Sequence, residues 1–217
     1  MRRWAALLVV VPLLGGCFGQ GSEGSVASPS RSATLTLAGG ASALRWGDGP
    51  YGVVLLHDAN HDAASWAQLA RALAADGMTA LAPQATDAST LTAAIGALRS
   101  TAPGQASPVI ERVAVVAAGS GIVAVAMLAA SNAALIDQVI LVSVGSDAPW
   151  AAEFPKLFIA GKASPQAAAA RTAEGSAAGQ WNALLLVDGS GSGQALFEGG
   201  VGNELVTAVV RRLDERR

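Results

Sequence analysis

The sequence predicts an α/β fold, a three-layer sandwich built on a mostly parallel, doubly wound sheet. Three observations predict it. Short continuous apolar runs recur along the chain, as in Gly52 to His57 (GVVLLH), Met78 to Pro83 (MTALAP) and Gln138 to Val144 (QVILVSV), the mark of strands buried on both faces. Between them lie stretches of helical periodicity, such as Asp62 to Asp76, which aligns Trp66, Leu69 and Leu73 and stops at Gly77. Lastly, Glu111 to Ala130 (ERVAVVAAGSGIVAVAMLAA) reads as a strand over Val113 to Val116, a small-residue turn over Ala117 to Gly121, and an apolar helix from near Ile122. A buried strand that enters a helix through a glycine turn presents either a nucleophile or a phosphate-binding loop at the carboxyl edge of such a sheet.

The remaining elements fit the same plan. Ala33 to Leu37 and Ser42 to Trp46 alternate as an opening hairpin about Gly39-Gly40, and Gly47-Asp48-Gly49-Pro50 turns the chain into the first buried strand. Asp87 to Ser100 reads as a helix, followed by a Pro/Gly-rich loop through Pro108. Lys156 to Ala160 (KLFIA) and Asn182 to Val187 (NALLLV) read as strands, with an alanine-rich helix over Pro165 to Ala178 between them. Gly202 to Arg212 closes the chain as a helix with Leu205, Val206, Val209 and Val210 on its inner side.

The first residues follow a different logic. Met1-Arg2-Arg3 and the apolar run Trp4 to Leu14 form a basic and then a hydrophobic segment, too short to span a membrane as a stable helix. They end in Leu14-Gly15-Gly16-Cys17, which resembles the lipobox of bacterial lipoproteins. The resemblance implies a signal peptide over 1–16, cleavage before Cys17 and a lipid on its thiol. Residues 17–32, Gly/Ser-rich after Cys17, would then be a flexible tether, and 33–217 one domain with a single sizeable core. The expected location is the cell envelope, lipid-anchored on the extracytoplasmic side of a bacterial membrane. Cys17 is the only cysteine, so no intramolecular disulfide is available and the domain depends on packing. A net charge of −2 with dispersed basic residues gives no footprint for nucleic acid; a small molecule or a protein is the expected ligand.

The order of elements over 33–217 resembles a small α/β-hydrolase without a cap domain, of the serine esterase and dienelactone hydrolase type. Val53 to Pro83 carries most of the likeness: a strand ending at His57, then Ser65-Trp66 opening a helix, with Asp58 where the family has glycine. The resemblance implies a nucleophilic serine in a Gly-x-Ser-x-Gly elbow, a histidine to take its proton and a carboxylate to orient the histidine. Counted from Val116, that elbow falls on Ala117-Ala118-Gly119-Ser120-Gly121 and places Gly119 in the nucleophile slot. A frame shifted by one residue puts Ser120 there and Ile122 in the close-approach position. The acid turn maps onto Gly161-Lys162-Ala163-Ser164-Pro165, with Ala163 or Ser164 in place of the acid; the histidine turn maps onto Gly189-Ser190-Gly191-Ser192-Gly193, with Ser192 in the slot.

These residues lead to the expectation of a degenerate triad and a non-catalytic binding or interaction module. The alternative is an atypical esterase using Ser120 with His57 or His61, the only two histidines. His57 alone fits a structural loop residue, and His61 a solvated one or part of the helix start. A metal cluster of His57, Asp58, His61 and Asp62 is weakly indicated, and neither metal nor cofactor is expected. A more remote reading takes Gly119-Ser120-Gly121-Ile122-Val123-Ala124 as a dinucleotide fingerprint, for which Asp137 precedes its strand and Asp147 lies too far along. The anchoring expectation is open to direct test: mass spectrometry of the protein purified from membranes should find the mature chain starting at a lipid-modified Cys17, and Cys17→Ser should leave the membrane fraction.

Overall fold

The computed structural model describes residues 31–100, 108–145 and 150–217. Residues 1–30, with Cys17 and most of the proposed tether, lie outside them, as do most of the Pro/Gly-rich loop and Asp147. Eight strands form one sheet in the order β1-β2-β4-β3-β5-β6-β7-β8. The hairpin of β1 (Ala33–Thr36) and β2 (Ser42–Trp46) is antiparallel and β2 pairs antiparallel with β4 (Met78–Pro83). From β4 onward the sheet is parallel, through β3 (Tyr51–Leu56), β5 (Arg112–Ala118), β6 (Gln138–Val142), β7 (Lys156–Gly161) and β8 (Ala183–Val187).

Successive side chains of a strand point to opposite faces, so each buried strand feeds two cores, as β3 illustrates. Val53 and Leu55 join the core under α1 (Ala67–Ala75) and α6 (Gly202–Asp214), whereas Val54 and Leu56 join the core under α2 (Ala88–Arg99) and α3 (Gly121–Asn132). All four are fully buried, each contributing about 1.5–3 kcal/mol of transfer free energy. Helix α4 (Gln166–Ser176) adds Ala170 and Ala173 to the second core. No helix among the described residues is long and apolar enough to cross a membrane.

The differences from the sequence reading are local. The helix expected over Asp62 to Asp76 opens as a 3₁₀ turn (Ala63–Trp66), because Asp62 accepts a hydrogen bond from the Ser65 N–H, and only then becomes α1. Strand β6 ends at Val142, where Ser143 turns into the left-handed region at φ 62. The apolar run of β8 is an edge strand: Leu184 to Leu186 are only half-buried with β7 on one side and no strand on the other. A short helix α5 (Ala195–Glu198) has no counterpart in the sequence pattern, since four residues carry no periodicity to read.

One buried cation fastens the chain before β7. Lys156 is fully buried, and its ammonium donates to the backbone carbonyls of Ala152, Phe154 and Ala178. Burial pushes its pKa down to about 8. Lys156→Met keeps the stem but strands the Ala152 and Phe154 carbonyls, each costing about 1–3 kcal/mol if left unpaired, while the Ala178 carbonyl keeps its bond from Asn182. Urea denaturation should show a loss of about 2 kcal/mol or more; a variant as stable as the wild type would mean that water replaces the ammonium.

Candidate functional site at the carboxyl edge

Strand β5 runs into α3 through a two-residue turn. Gly119 holds it with φ 50, and its N–H donates to the Val142 carbonyl at 3.2 Å. Ser120 follows in helical conformation, exposed, with no side-chain capping bond. A Cβ on Gly121 would come within 2.9 Å of both the His57 carbonyl and Leu56 Cβ, so α3 packs on β3 only because this residue is glycine. The left-handed residue of the turn is thus Gly119, and the close-approach glycine is Gly121.

The space over Gly119 is filled from the neighbouring strand. After β3 the chain turns at Asp58, and a Cβ on Gly119 would sit 2.7 Å from Asp58 Cβ. On the far side, a Cβ on Gly193 would meet Asp58 Oδ2 at 2.5 Å. The carboxylate is therefore wedged between two glycines of different loops. Its Oδ2 accepts from the Gln194 N–H at 3.1 Å, and its Oδ1 from the Asn60 N–H at 3.0 Å and faces His61 Nδ1 at 2.6 Å. The other ring nitrogen of His61 lies 3.1 Å from Glu198 Oε1 on α5.

Packing sets these positions. The edge-to-face contact of Trp66 and Phe197, with ring centroids 5.2 Å apart, docks α5 against the start of α1. The Gln194 side-chain amide donates to Ser65 Oγ at 2.6 Å, and the Gly193 N–H donates to Ser143 Oγ at 2.7 Å. The turn after β7 lies beside the turn after β8: the Lys162 N–H donates to the Val187 carbonyl at 2.8 Å and the Ala163 N–H to the Gly189 carbonyl at 3.0 Å. Ala163 and Ser192 are exposed, while Ser164 is buried with no hydrogen-bond partner for its hydroxyl.

No family model matches the sequence, and no curated protein does. Solved structures do match. A dienelactone hydrolase from Anabaena variabilis superposes with a TM-score of 0.66 at 17% identity, over 86% of this chain and 95% of that one. A monoacylglycerol lipase from Paleococcus ferrophilus gives 0.65 at 12% identity, over 82% and 99%. A cold-adapted esterase from an Arctic intertidal metagenomic library gives 0.63 at 14% identity, over 86% and 92%. The fold is that of a small α/β-hydrolase. At such identities the likeness establishes the fold and leaves the function to the site.

Gly119 is the left-handed residue of the turn between β5 and α3, and Asp58 fills the space that a side chain there would need. Ala163 and Ser164 lie in the turn after β7 and neither is an acid. In the turn after β8 the exposed residue is Ser192, and it is Gly193, one residue on, whose Cβ direction faces the elbow. The turn ends in a left-handed Gly193 with φ 58, which packs against the Asp58 carboxylate.

Both ring nitrogens of each histidine are bonded to groups other than Ser120. His57 is buried with Nδ1 2.8 Å from the Asp58 carbonyl and Nε2 3.0 Å from the Gln84 carbonyl, and His61 stands between two carboxylates rather than in solvent. Asp62 is spent on capping the 3₁₀ turn. No set of three such groups among the described residues is arranged to hold a metal. The dinucleotide reading meets two obstacles. An Asp58 carboxylate stands at the helix start where a phosphate would lie, and Asp137 sits at the opposite edge of the sheet, paired with Arg112 at 2.9 Å and with the Tyr51 hydroxyl at 2.7 Å.

Sequence reasoning missed the Asp58–His61–Glu198 assembly, for which the one available signal was Asp58 standing where glycine is usual. For Asp58, burial opposes ionisation, but the hydrogen bonds from His61 and the Gln194 and Asn60 N–H groups outweigh it and hold the carboxyl below its usual range. For His61, burial likewise opposes charge, and the bond to and charge of Asp58, with Glu198 behind, raise it above its usual value. A depressed acid contributes stability above its unfolded pKa of about 3.9 and loses it as pH falls through the folded value; a raised histidine contributes below about 6.5 and loses it as pH rises through its folded value. The stability difference between wild type and His61→Ala should therefore be greatest between about pH 4 and 6.5 and shrink on both sides. Chemical denaturation across pH 3–9 measures it, and a flat difference would show that the pair is not ionised.

Proposed function

We propose that this protein is a lipid-anchored pseudo-hydrolase: an α/β-hydrolase domain tethered through Cys17 to the outer side of a bacterial membrane, which binds a ligand or partner without turning over an ester. The observation that carries the reading is the Asp58 carboxylate over Gly119. Hydrolysis by this fold needs a nucleophile at the elbow and hydrogen-bond donors aimed at a developing oxyanion. Here the nucleophile's place is taken by a side chain carrying a fixed negative charge, which opposes such an oxyanion. The donors nearby, the Asn60 and Gln194 N–H groups, are spent on that charge. The lipobox at Leu14 to Cys17 supports the anchoring.

The test is loss and restoration of the site. Wild type should hydrolyse p-nitrophenyl acetate no faster than a folded, unrelated protein, and a fluorophosphonate should leave Ser120 unlabelled. Gly119→Ser alone should destabilise, because its Cβ meets Asp58. Combined with Asp58→Gly it should fold but stay slow, since a serine without a base is a poor nucleophile. A histidine supplied at Ser192 or Gly193 in that background should raise the rate by about 10²-fold or more. Robust wild-type activity abolished by Ser120→Ala would replace this reading with that of an atypical esterase.

A further inference from the structure

The opposite, amino edge of the sheet carries a feature that the pseudo-hydrolase reading does not use. A cleft of about 390 Å³ opens where β5, β6, β7 and β8 begin, against the C-terminal end of α6. Its walls include Arg112, Asp137, Pro155, Trp181, Glu215 and Arg216. Trp181 is 60% exposed and adopts φ 69. A bulky residue in the left-handed region costs about 1–3 kcal/mol, and persists only where the surroundings hold it. Here they do. Asn182 Nδ2 donates to the carbonyls of Ala177, Ala178 and Gly179, and Arg212 donates to the Trp181 carbonyl. The strain gains little burial for the indole, so the backbone holds an aromatic face out into the cleft.

The charges around it are unevenly spent. Arg112 is committed through Nε and Nη2 to Asp137, each bond 2.9 Å. Arg217 is paired with Asp76 and Asp214. Arg216 has no ion pair or hydrogen-bonded side-chain partner among the described residues; its guanidinium lies 4.2 Å from the centre of the Trp181 ring, and its Nε is buried without an acceptor. The cleft thus offers an exposed indole with the Arg216 guanidinium stacked on it and free of any carboxylate, and the half-exposed Glu215, whose Oε1 lies 4.0 Å from Arg211 Nε.

We propose that this cleft is a binding site for an acidic sugar. The indole offers a flat apolar surface for the C–H face of a pyranose ring, the Arg216 fork matches a carboxylate, and Glu215 accepts from ring hydroxyls. A nucleotide fits less well, because its phosphates would face Asp137 and Glu215 while two of the three lining arginines, Arg112 and Arg217, are already paired with carboxylates. The site is separate from the elbow and does not depend on whether the elbow is catalytic.

The experiment uses the full chain with D-glucuronate, D-glucose, acetate and AMP as probes, read by tryptophan fluorescence and by calorimetry. Trp46, Trp66 and Trp150 are buried, so Trp181 dominates the accessible emission of the domain. Glucuronate should give saturable quenching, with glucose and acetate each binding at least tenfold more weakly. Arg216→Gln should weaken glucuronate at least tenfold and leave glucose unchanged. Trp181→Gly and Trp181→Asn, both compatible with the left-handed backbone, should abolish calorimetric binding without lowering Tm. Acetate binding as tightly as glucuronate would reduce the cleft to a simple anion site, and AMP binding more tightly would make it a nucleotide site. Either result overturns the proposal, as does an absence of saturable glucuronate binding or its survival in both Trp181 variants.

Discussion

A carboxylate pressed between two glycines organises the carboxyl edge of this molecule. Asp58 reaches from the loop after β3 to the elbow after β5 and to the turn after β8, so one side chain joins three separate segments. A carboxylate withdrawn partly from water is costly unless its oxygens are hydrogen-bonded, and two backbone N–H groups and an imidazole bond this half-buried one. The same constraint accounts for both glycines. Gly119 and Gly193 each lack the Cβ that would enter the carboxylate's volume, and both take the left-handed conformation that the turns require.

The network around Asp58 extends into parts of the fold that no hydrolase chemistry would need. His61 and Glu198 carry it to α5, and Gln194 links it to Ser65 at the start of α1. Ser143, held at φ 62 at the end of β6, accepts from Gly193 and fixes the turn that carries Gln194. Such a network ties together the loops at the carboxyl edge of the sheet.

The two edges of the parallel sheet consequently differ in character. Loops at the carboxyl edge close over Asp58. At the amino edge the strand starts are splayed around an ion pair, Arg112 with Asp137, and an exposed tryptophan stands over a cleft. Concave surface occurs at both edges: a second cleft of about 450 Å³ lies beside Ser120, between Asp87, Ser89, Val123 and Met127.

Much of this was legible in the chain. The apolar runs at 52–57, 78–83 and 138–144, with helical periods between them, determined the α/β class, because burial on both faces leaves a strand no polar positions. The strand-to-helix turn at 117–121 was legible too, since glycine takes the left-handed backbone that Gly119 adopts there. Only the tertiary structure decided that Asp58 stands over Gly119, that Gly193 packs against its carboxylate, and that Glu198 stands behind His61. Those contacts join residues up to 137 positions apart, and Glu198 sits on a single helical turn too short to have a period. Local sequence patterns record which face of an element is buried; which side chains meet across loops is set by how the sheet brings the ends of its strands together.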